Sequence, residues 1–375
     1  MRRYARCFFC LVFSALFLLG PQSVGAYSTL GAAGNQSSSL QTIVEEYATS
    51  HLPRGGVVLG IARAEDVEWY STSGLDPDTP VEIGSITKAI TGMWLAAEIE
   101  AGSLTPETTV GSLWPSGAEA QRLGISEQHS VLAEATLEQL ATHTSGLPRL
   151  HMGIRTLTRG VLHADNPYRG LDAAAVYRDA LSANPSDHGT FHYSNLGYAL
   201  LGQLLLRNAD YDDPSSADYE REVEAAVLSP LGVSGFSTGR VAEMAIPYAA
   251  NGRRASAWDF DGYVAAGGLV SSPRALMELT RSIAALPADL SRASTPRAAA
   301  SSGRWVGYGW FIESLEDGAS MIWHNGGTGG FRTFVGSVPK RDLAVVAAAN
   351  AAVTVPTAVE LYRARRQSRL TFSKP

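Results

Sequence analysis

Cysteine is almost missing from this 375-residue chain: there are two, Cys7 and Cys10, and both fall in one apolar run near the N-terminus. Beyond that run there is no disulfide framework, no thiolate metal site and no cysteine nucleophile. Lysine is nearly as scarce. Of the 30 basic residues only Lys88, Lys340 and Lys374 are lysines; the rest are arginines. An excess of positive charge is lacking too, since 36 acidic residues leave a formal net charge of -6. Such a balance does not suit binding to nucleic acid or anionic lipid through general charge. Apolar runs of the roughly 20 residues a membrane span needs are also absent. The longest, Cys7 to Gly20, is shorter than that.

That short run has another reading. Arg2, Arg3 and Arg6 precede it, and small residues ending Val24-Gly25-Ala26 follow it. This is the layout of a secretory signal with cleavage after Ala26, a retained anchor being the alternative. Residues 1–26 are expected to direct export to a periplasm or out of the cell, and residues 27–37, rich in Gly, Ser and Ala, to form a disordered linker. Losing the signal removes three arginines and no acids, so the mature charge moves from -6 to -9.

Lysine kept where arginine is the habit marks a group that must lose a proton, which arginine cannot do. Lys88 closes Ser85-Ile86-Thr87-Lys88, followed at once by a helix-like run to Ile99. Residues three apart share a helix face, so the Ser85 hydroxyl and Lys88 amine can touch, and a neutral amine can draw off the hydroxyl proton. A second copy, Ser337-Val338-Pro339-Lys340, contains a proline and follows a strand-like run, so it cannot present both side chains on one helical turn.

The rest of the chain has a three-part pattern. Residues 38–51 carry apolar residues at helical spacing, and 56–64 and 67–73 read as strands around a turn at Ala64-Glu65-Asp66. From Ser85 to about Ala300 the text is mainly helical with long polar loops, helices being expected at 136–142 and 197–207. Strands return at 307–313, 320–324, 330–337 and 343–350, and 355–366 reads as a closing helix. The simplest architecture is α/β of the α+β kind: one antiparallel sheet from both chain ends (38–84 and 301–370), flanked by the terminal helices, with a helical lobe (85–300) inserted. The site would lie in the cleft between them.

Two further groups bear on Ser85. Tyr193-Ser194-Asn195 precedes the helix at 197. A phenol beside a protonated lysine has its pKa drawn down and can act as a general base, while the Asn195 amide can hold Lys88 and a substrate carbonyl. His324-Asn325-Gly326-Gly327 sits between two C-terminal strands. Glycines there let substrate approach the backbone, and an N–H in this stretch with that of Ser85 can form an oxyanion hole.

Ser85-x-x-Lys88, Tyr193-x-Asn195 and His324-x-Gly326 follow the order and rough spacing of the three motifs of penicillin-recognising serine enzymes. The chain resembles the class C β-lactamases, D-alanyl-D-alanine carboxypeptidases and allied serine esterases over nearly all of residues 38–365. Thr142-His143-Thr144-Ser145-Gly146-Leu147-Pro148, Ala266-Gly267-Gly268-Leu269 and Asn166-Pro167-Tyr168 add to the likeness. The resemblance implies a β-lactamase-like fold over 38–370, no cofactor, and an acyl-enzyme on Ser85. Lys88 and Tyr193 would move the proton, Asn195 would position substrate, and the amides of Ser85 and Gly327 would hold the oxyanion. The expected partner is a small-molecule or peptidoglycan-derived substrate, with oligomeric state left open. The third motif departs from the family by opening on histidine where lysine is usual, which shifts weight toward D-alanyl peptides or small esters and away from β-lactams. Carboxylate-bearing substrates would then lose affinity as pH passes the His324 pKa. A class C-like β-lactamase, and a non-catalytic penicillin-binding or scaffold protein, remain the alternatives.

Two competing motifs lack their context. Gly235-Phe236-Ser237-Thr238-Gly239 matches the hydrolase nucleophile elbow, but a turn and no buried strand precedes it. His188 and His192 are four apart in a loop-like stretch with no further ligand at metal spacing. His143 closes a helix, where a histidine complements the C-terminal dipole, and reads as structural.

Overall fold

A computed structural model of the protein describes residues 40–353, apart from 73, 127–130, 151–164, 287 and 316. The expected signal segment 1–26, linker 27–37 and closing helix 355–366 lie outside the described residues.

The main sheet has eight antiparallel strands in the order β2-β1-β11-β10-β9-β8-β7-β6. Helix α1 (Leu40–His51) leads into β1 (Val57–Arg63) and β2 (Asp66–Ser71), which form a hairpin. The last strand, β11 (Leu343–Ala349), then pairs with β1 in register from Val57↔Ala349 to Arg63↔Leu343. The two chain ends thus build one sheet, and the mixed α and antiparallel β class read from the sequence holds. Strand β11 reads LAVVAAA and is buried from its second residue onward. A strand covered on both faces shows a continuous apolar run, and alanine leaves room for a helix against it.

Three elements of the inserted region hold the site. Helix α2 (Thr87–Glu100) is buried without interruption from Thr87 to Ala96. A helix apolar all round is a core helix. Helix α3 (Leu137–Ala141) starts at a capping box in which Thr136 and Gln139 exchange hydrogen bonds. Helix α4 (Asn195–Asn208) is buried from Asn195 to Leu206, and the Ser194 hydroxyl accepts from the Gly197 N–H as its cap. Each Leu fully buried along α4 stabilises the fold by roughly 1.5–3 kcal/mol.

Several elements differ from the sequence reading. The run 307–313 is a strand only from Phe311, where β8 (Phe311–Ser314) begins; a buried turn at 307–310 joins it to β7 (Arg304–Val306), a strand the sequence reading did not include. Strand β6 (Ala298–Ser301) falls in a stretch expected to be helical. So does most of a second sheet, in which β3 (Val81–Glu82) and β4 (Phe236–Thr238) flank β5 (Leu269–Ser271). Strands of two to four residues are too short to show a period.

Strand β9 (Ser320–Gly327) runs three residues further than expected. It pairs with β8 only from Ser320 to Trp323, and with β10 (Arg332–Val338) as far as Gly327. The stretch His324–Gly327 therefore has a strand on one side only among the described residues, and its other side faces the start of α2. No described helix is long and apolar enough to cross a membrane.

Candidate active site

Strand β3 positions Ser85. Its ladder extends one step, the Ile83 N–H donating to Leu269 O at 3.0 Å, and the chain then turns at Gly84 with φ +54°. A Cβ on Gly84 would lie 2.6 Å from the Gly327 nitrogen, so only glycine fits both the dihedral and the contact. Ser85 follows in a 3₁₀ turn (Gly84–Ile86) that feeds α2. Gly326 is equally constrained: a Cβ there would run into the Ile83 carbonyl oxygen. The nucleophile turn and β9 thus touch backbone to backbone.

Lys88 lies one turn into α2 with no solvent exposure. Its Nζ donates to Ser85 Oγ at 3.1 Å and to the carbonyl of Ala266. Burial, and secondarily the charge of Arg149, hold its pKa well below the usual lysine range. The Tyr193 hydroxyl faces the Ser85 side chain, close enough for that group to act on its pKa, and Lys88 Nζ stands 5.1 Å from the Tyr193 ring centroid. Ser85, Lys88 and Tyr193 therefore converge on one oxygen, with Gly327 alongside. The expected lowering of the Tyr193 pKa is corrected. Burial raises it, outweighing Arg149 and the Ser85 side chain. The physical reason is that Lys88 is neutral and offers no charge to favour a phenolate.

Asn195 begins α4, and its Nδ2 donates to the Tyr168 hydroxyl at 2.8 Å, while Oδ1 is buried without a protein partner among the described residues. Its amide is joined to Tyr168, and no bond from it to Lys88 is present; the Ala266 carbonyl takes that place. Tyr168 stacks on Phe260 at 4.6 Å and meets Trp258 edge-on at 5.5 Å, forming an aromatic wall.

His324 sits on β9 and is buried. Its Nδ1 approaches Asn325 O at 2.6 Å, and Nε2 has no partner among the described residues. Burial pushes its pKa down to about 3. The expected loss of carboxylate affinity near pH 6.5 is thereby corrected: the imidazole is neutral throughout pH 5–8.

His143 follows α3 in a left-handed conformation, φ +60°. The Ser194 N–H donates to its Nδ1 at 3.1 Å, and its ring lies 4.4 Å from that of Tyr193. It supports the Tyr193 loop. Burial holds its pKa well below the usual range, so it does so as a neutral ring and not as a cation at a helix end.

Four groups at the site were not singled out from sequence: Arg149, Tyr168, Glu82 and the Ala266 carbonyl. Three of them lie in or beside runs that carry the family resemblance. Glu82 is buried, accepts from the Trp258 N–H at 2.6 Å and faces Thr328, and burial raises its pKa to about 7. The competing motifs do not form sites. Ser237 lies within β4, paired with Val270, and no helix follows it. Ser337 is buried in β10 while Lys340 is exposed. His192 is exposed and 3.7 Å from Asp187. Among the described residues no group of three or more His, Cys, Asp or Glu could hold a metal.

A family model described as Beta-lactamase matches residues 40–369. The fold is similar to that of a class C beta lactamase from Rhodobacter sphaeroides (19% identity, TM-score 0.69, 88% of this chain and 99% of that one). It is similar also to a beta-lactamase/D-alanine carboxypeptidase from Pseudomonas syringae (16% identity, TM-score 0.69, 90% of this chain and 100% of that one). A curated relative, Beta-lactamase-like protein 2 of Dictyostelium discoideum, is 26% identical over 197 residues. That match spans 48% of this chain and 32% of the length of the relative.

Proposed function

This chain belongs to the beta-lactamase family, and from that premise we propose that it is an exported serine hydrolase acting through a Ser85 acyl-enzyme on D-alanyl peptide amides or small esters. The observation that carries the proposal is the meeting of a neutral Lys88 amine and the Tyr193 hydroxyl at Ser85 Oγ.

The chemistry follows from that meeting. Lys88, unprotonated because it is buried, accepts the Ser85 proton as Oγ attacks the carbonyl carbon. The Ser85 and Gly327 N–H groups receive the developing oxyanion. Tyr193, a neutral phenol at rest, hands its proton to the leaving nitrogen or oxygen, and the proton that Lys88 took from Ser85 replaces it. Water then attacks the acyl-enzyme, with the same pair taking its proton. Asn195, fixed by Tyr168, directs its free carbonyl oxygen and the remaining amide hydrogen at the acyl chain. The neutral His324 gives no permanent charge at the third motif, which favours small esters over β-lactams; a D-alanyl peptide with a terminal carboxylate must find its cation elsewhere.

A fluorophosphonate label tests the nucleophile, and turnover of a D-alanyl-D-alanine peptide, a chromogenic ester and a chromogenic cephalosporin tests the substrate. Ser85→Ala should abolish labelling and turnover, whereas Ser237→Ala should change neither. Labelling that persists in Ser85→Ala overturns the reading. Export predicts a mature N-terminus at Tyr27, which mass spectrometry of the secreted or periplasmic protein reads directly.

A further inference from the structure

The third motif has lost its permanent cation, and the structure offers another one elsewhere. Arg149 follows the His143–Pro148 run, and its backbone carbonyl accepts the N–H groups of Asn195 and Leu196 at 3.0 and 3.2 Å. Its position is therefore tied to the start of α4. The guanidinium carbon stands 5.1 Å from the centroid of the Tyr193 ring. Its charge is felt at Lys88, His143, Tyr168 and Tyr193. Arg149 is half-buried, and no acidic side chain among the described residues forms an ion pair with it. Most arginines at this depth are paired: Arg207 with Glu119, Arg297 with Glu138, Arg304 with Glu313.

We propose that Arg149 is the specificity residue that receives a carboxylate on the leaving group. The proposal rests on the Ser85 acyl-enzyme reading and adds the substrate class to it. Tyr193 protonates the leaving group, so the leaving group lies against Tyr193, and the cation over that ring is the one a neighbouring carboxylate meets. The planar guanidinium can take both carboxylate oxygens, which Lys88 cannot do while serving as a neutral base. The other cation near the cleft, Arg332, is already engaged. Its Nη1 donates to the carbonyls of Thr328 and Phe331 at 2.6 and 2.7 Å and ties the turn after β9. Nearby Asp165 accepts from Ser256 at 2.7 Å and is turned to that loop.

Two thioesters separate this proposal from the one beneath it: an N-acyl-D-alanyl thioglycolate, which carries the carboxylate on its leaving group, and the methyl ester of the same molecule. The reading is the ratio of their kcat/KM values. Both use the same nucleophile and base, so any effect of Arg149 on Lys88 cancels in the ratio. Wild-type protein should prefer the carboxylate. Arg149→Gln should lower the ratio about 10- to 100-fold, the range expected for a charge-assisted pair in a partly desolvated site. Arg149→Lys should recover part of the loss. A ratio within about threefold of wild type in Arg149→Gln overturns the proposal, as does an equal fall in Arg332→Gln. Wild-type turnover of both thioesters in that case leaves the Ser85 reading standing; turnover of neither removes both. Should Arg149→Gln fail to fold, protection of wild-type Ser85 from fluorophosphonate decides. Thioglycolate, the leaving group itself, should protect at lower concentration than its methyl ester, and equal protection counts against the anchor.

Discussion

The two walls of the cleft work by different means. The helical wall presents side chains whose ordinary charges have been suppressed: Lys88, His143 and Tyr193 are all held neutral by burial. The sheet wall presents backbone. Gly326 and Gly327 carry no side chain, and His324, neutral and inward-facing, adds no charge. In the proposed mechanism proton transfer falls to Lys88 on a helix and Tyr193 in the loop before one, and charge stabilisation to amides on a strand whose open side faces Ser85. Substitutions on one wall should therefore impair chemistry with the fold intact, while those on the other should impair the fold itself.

The sharpest test of that contrast is Lys88→Arg. Arginine keeps the charge and cannot release a proton, so kcat/KM should fall about 10³-fold or more, as for removal of a base serving a nucleophile. Retention of more than a tenth of wild-type activity breaks the assignment. On the opposite wall, Gly326→Ala forces a Cβ into the Ile83 carbonyl. It should destabilise the protein by about 3 kcal/mol, in the upper range for single substitutions, as read by urea unfolding. Gly326 has no positive φ, so the loss reports the collision and not backbone strain.

Glu82 joins the walls, lying on β3 and facing Thr328. Its folded pKa of about 7 exceeds the ordinary 4.5, so the native state holds the extra proton between those values. Its contribution is fully present below pH 4.5 and lost as pH rises through 7. At 1.36 kcal/mol per unit this amounts to roughly 3 kcal/mol. Glu82→Gln should flatten that part of the stability–pH curve, and an unchanged slope counts against the carboxyl as its source. The smallest expected effect is at His324. Because it is neutral from pH 5 to 8, KM for a carboxylate-bearing substrate should vary by less than about threefold over that range from this group. His324→Gln should leave that profile flat, and a step near pH 6.5 that vanishes in the variant breaks the picture.

The long, periodic elements were readable before the structure: α1, α2, α4, β1, β2, β10 and β11 have apolar patterns that local sequence alone carries. The meeting of Ser85 and Lys88 was readable because lysine is scarce and the two lie three apart at a helix start, and Tyr193 because it opens Tyr-Ser-Asn just before another helix. What was hidden depends on neighbours far off in sequence. Arg149 looks like any surface arginine until α4 is seen to place it above Tyr193. Glu82 and Tyr168 acquire their roles from Thr328 and Asn195. The direction of the Tyr193 shift was misread for the same reason, since burial around Lys88 decides it and burial is not local. Strands β3 to β7 escaped because two to four residues cannot display alternation.

The β1–β11 seam has a consequence for how the chain is made. Strand β1 emerges among the first sixty-odd residues, and its central partner is synthesised only near position 343 and beyond. Until then the β1–β2 hairpin has no strand on its inner edge, and a two-stranded ribbon alone is marginal in water. Pairing between such distant segments is slow to form. The sheet therefore zips last, after nearly the whole polypeptide has been made.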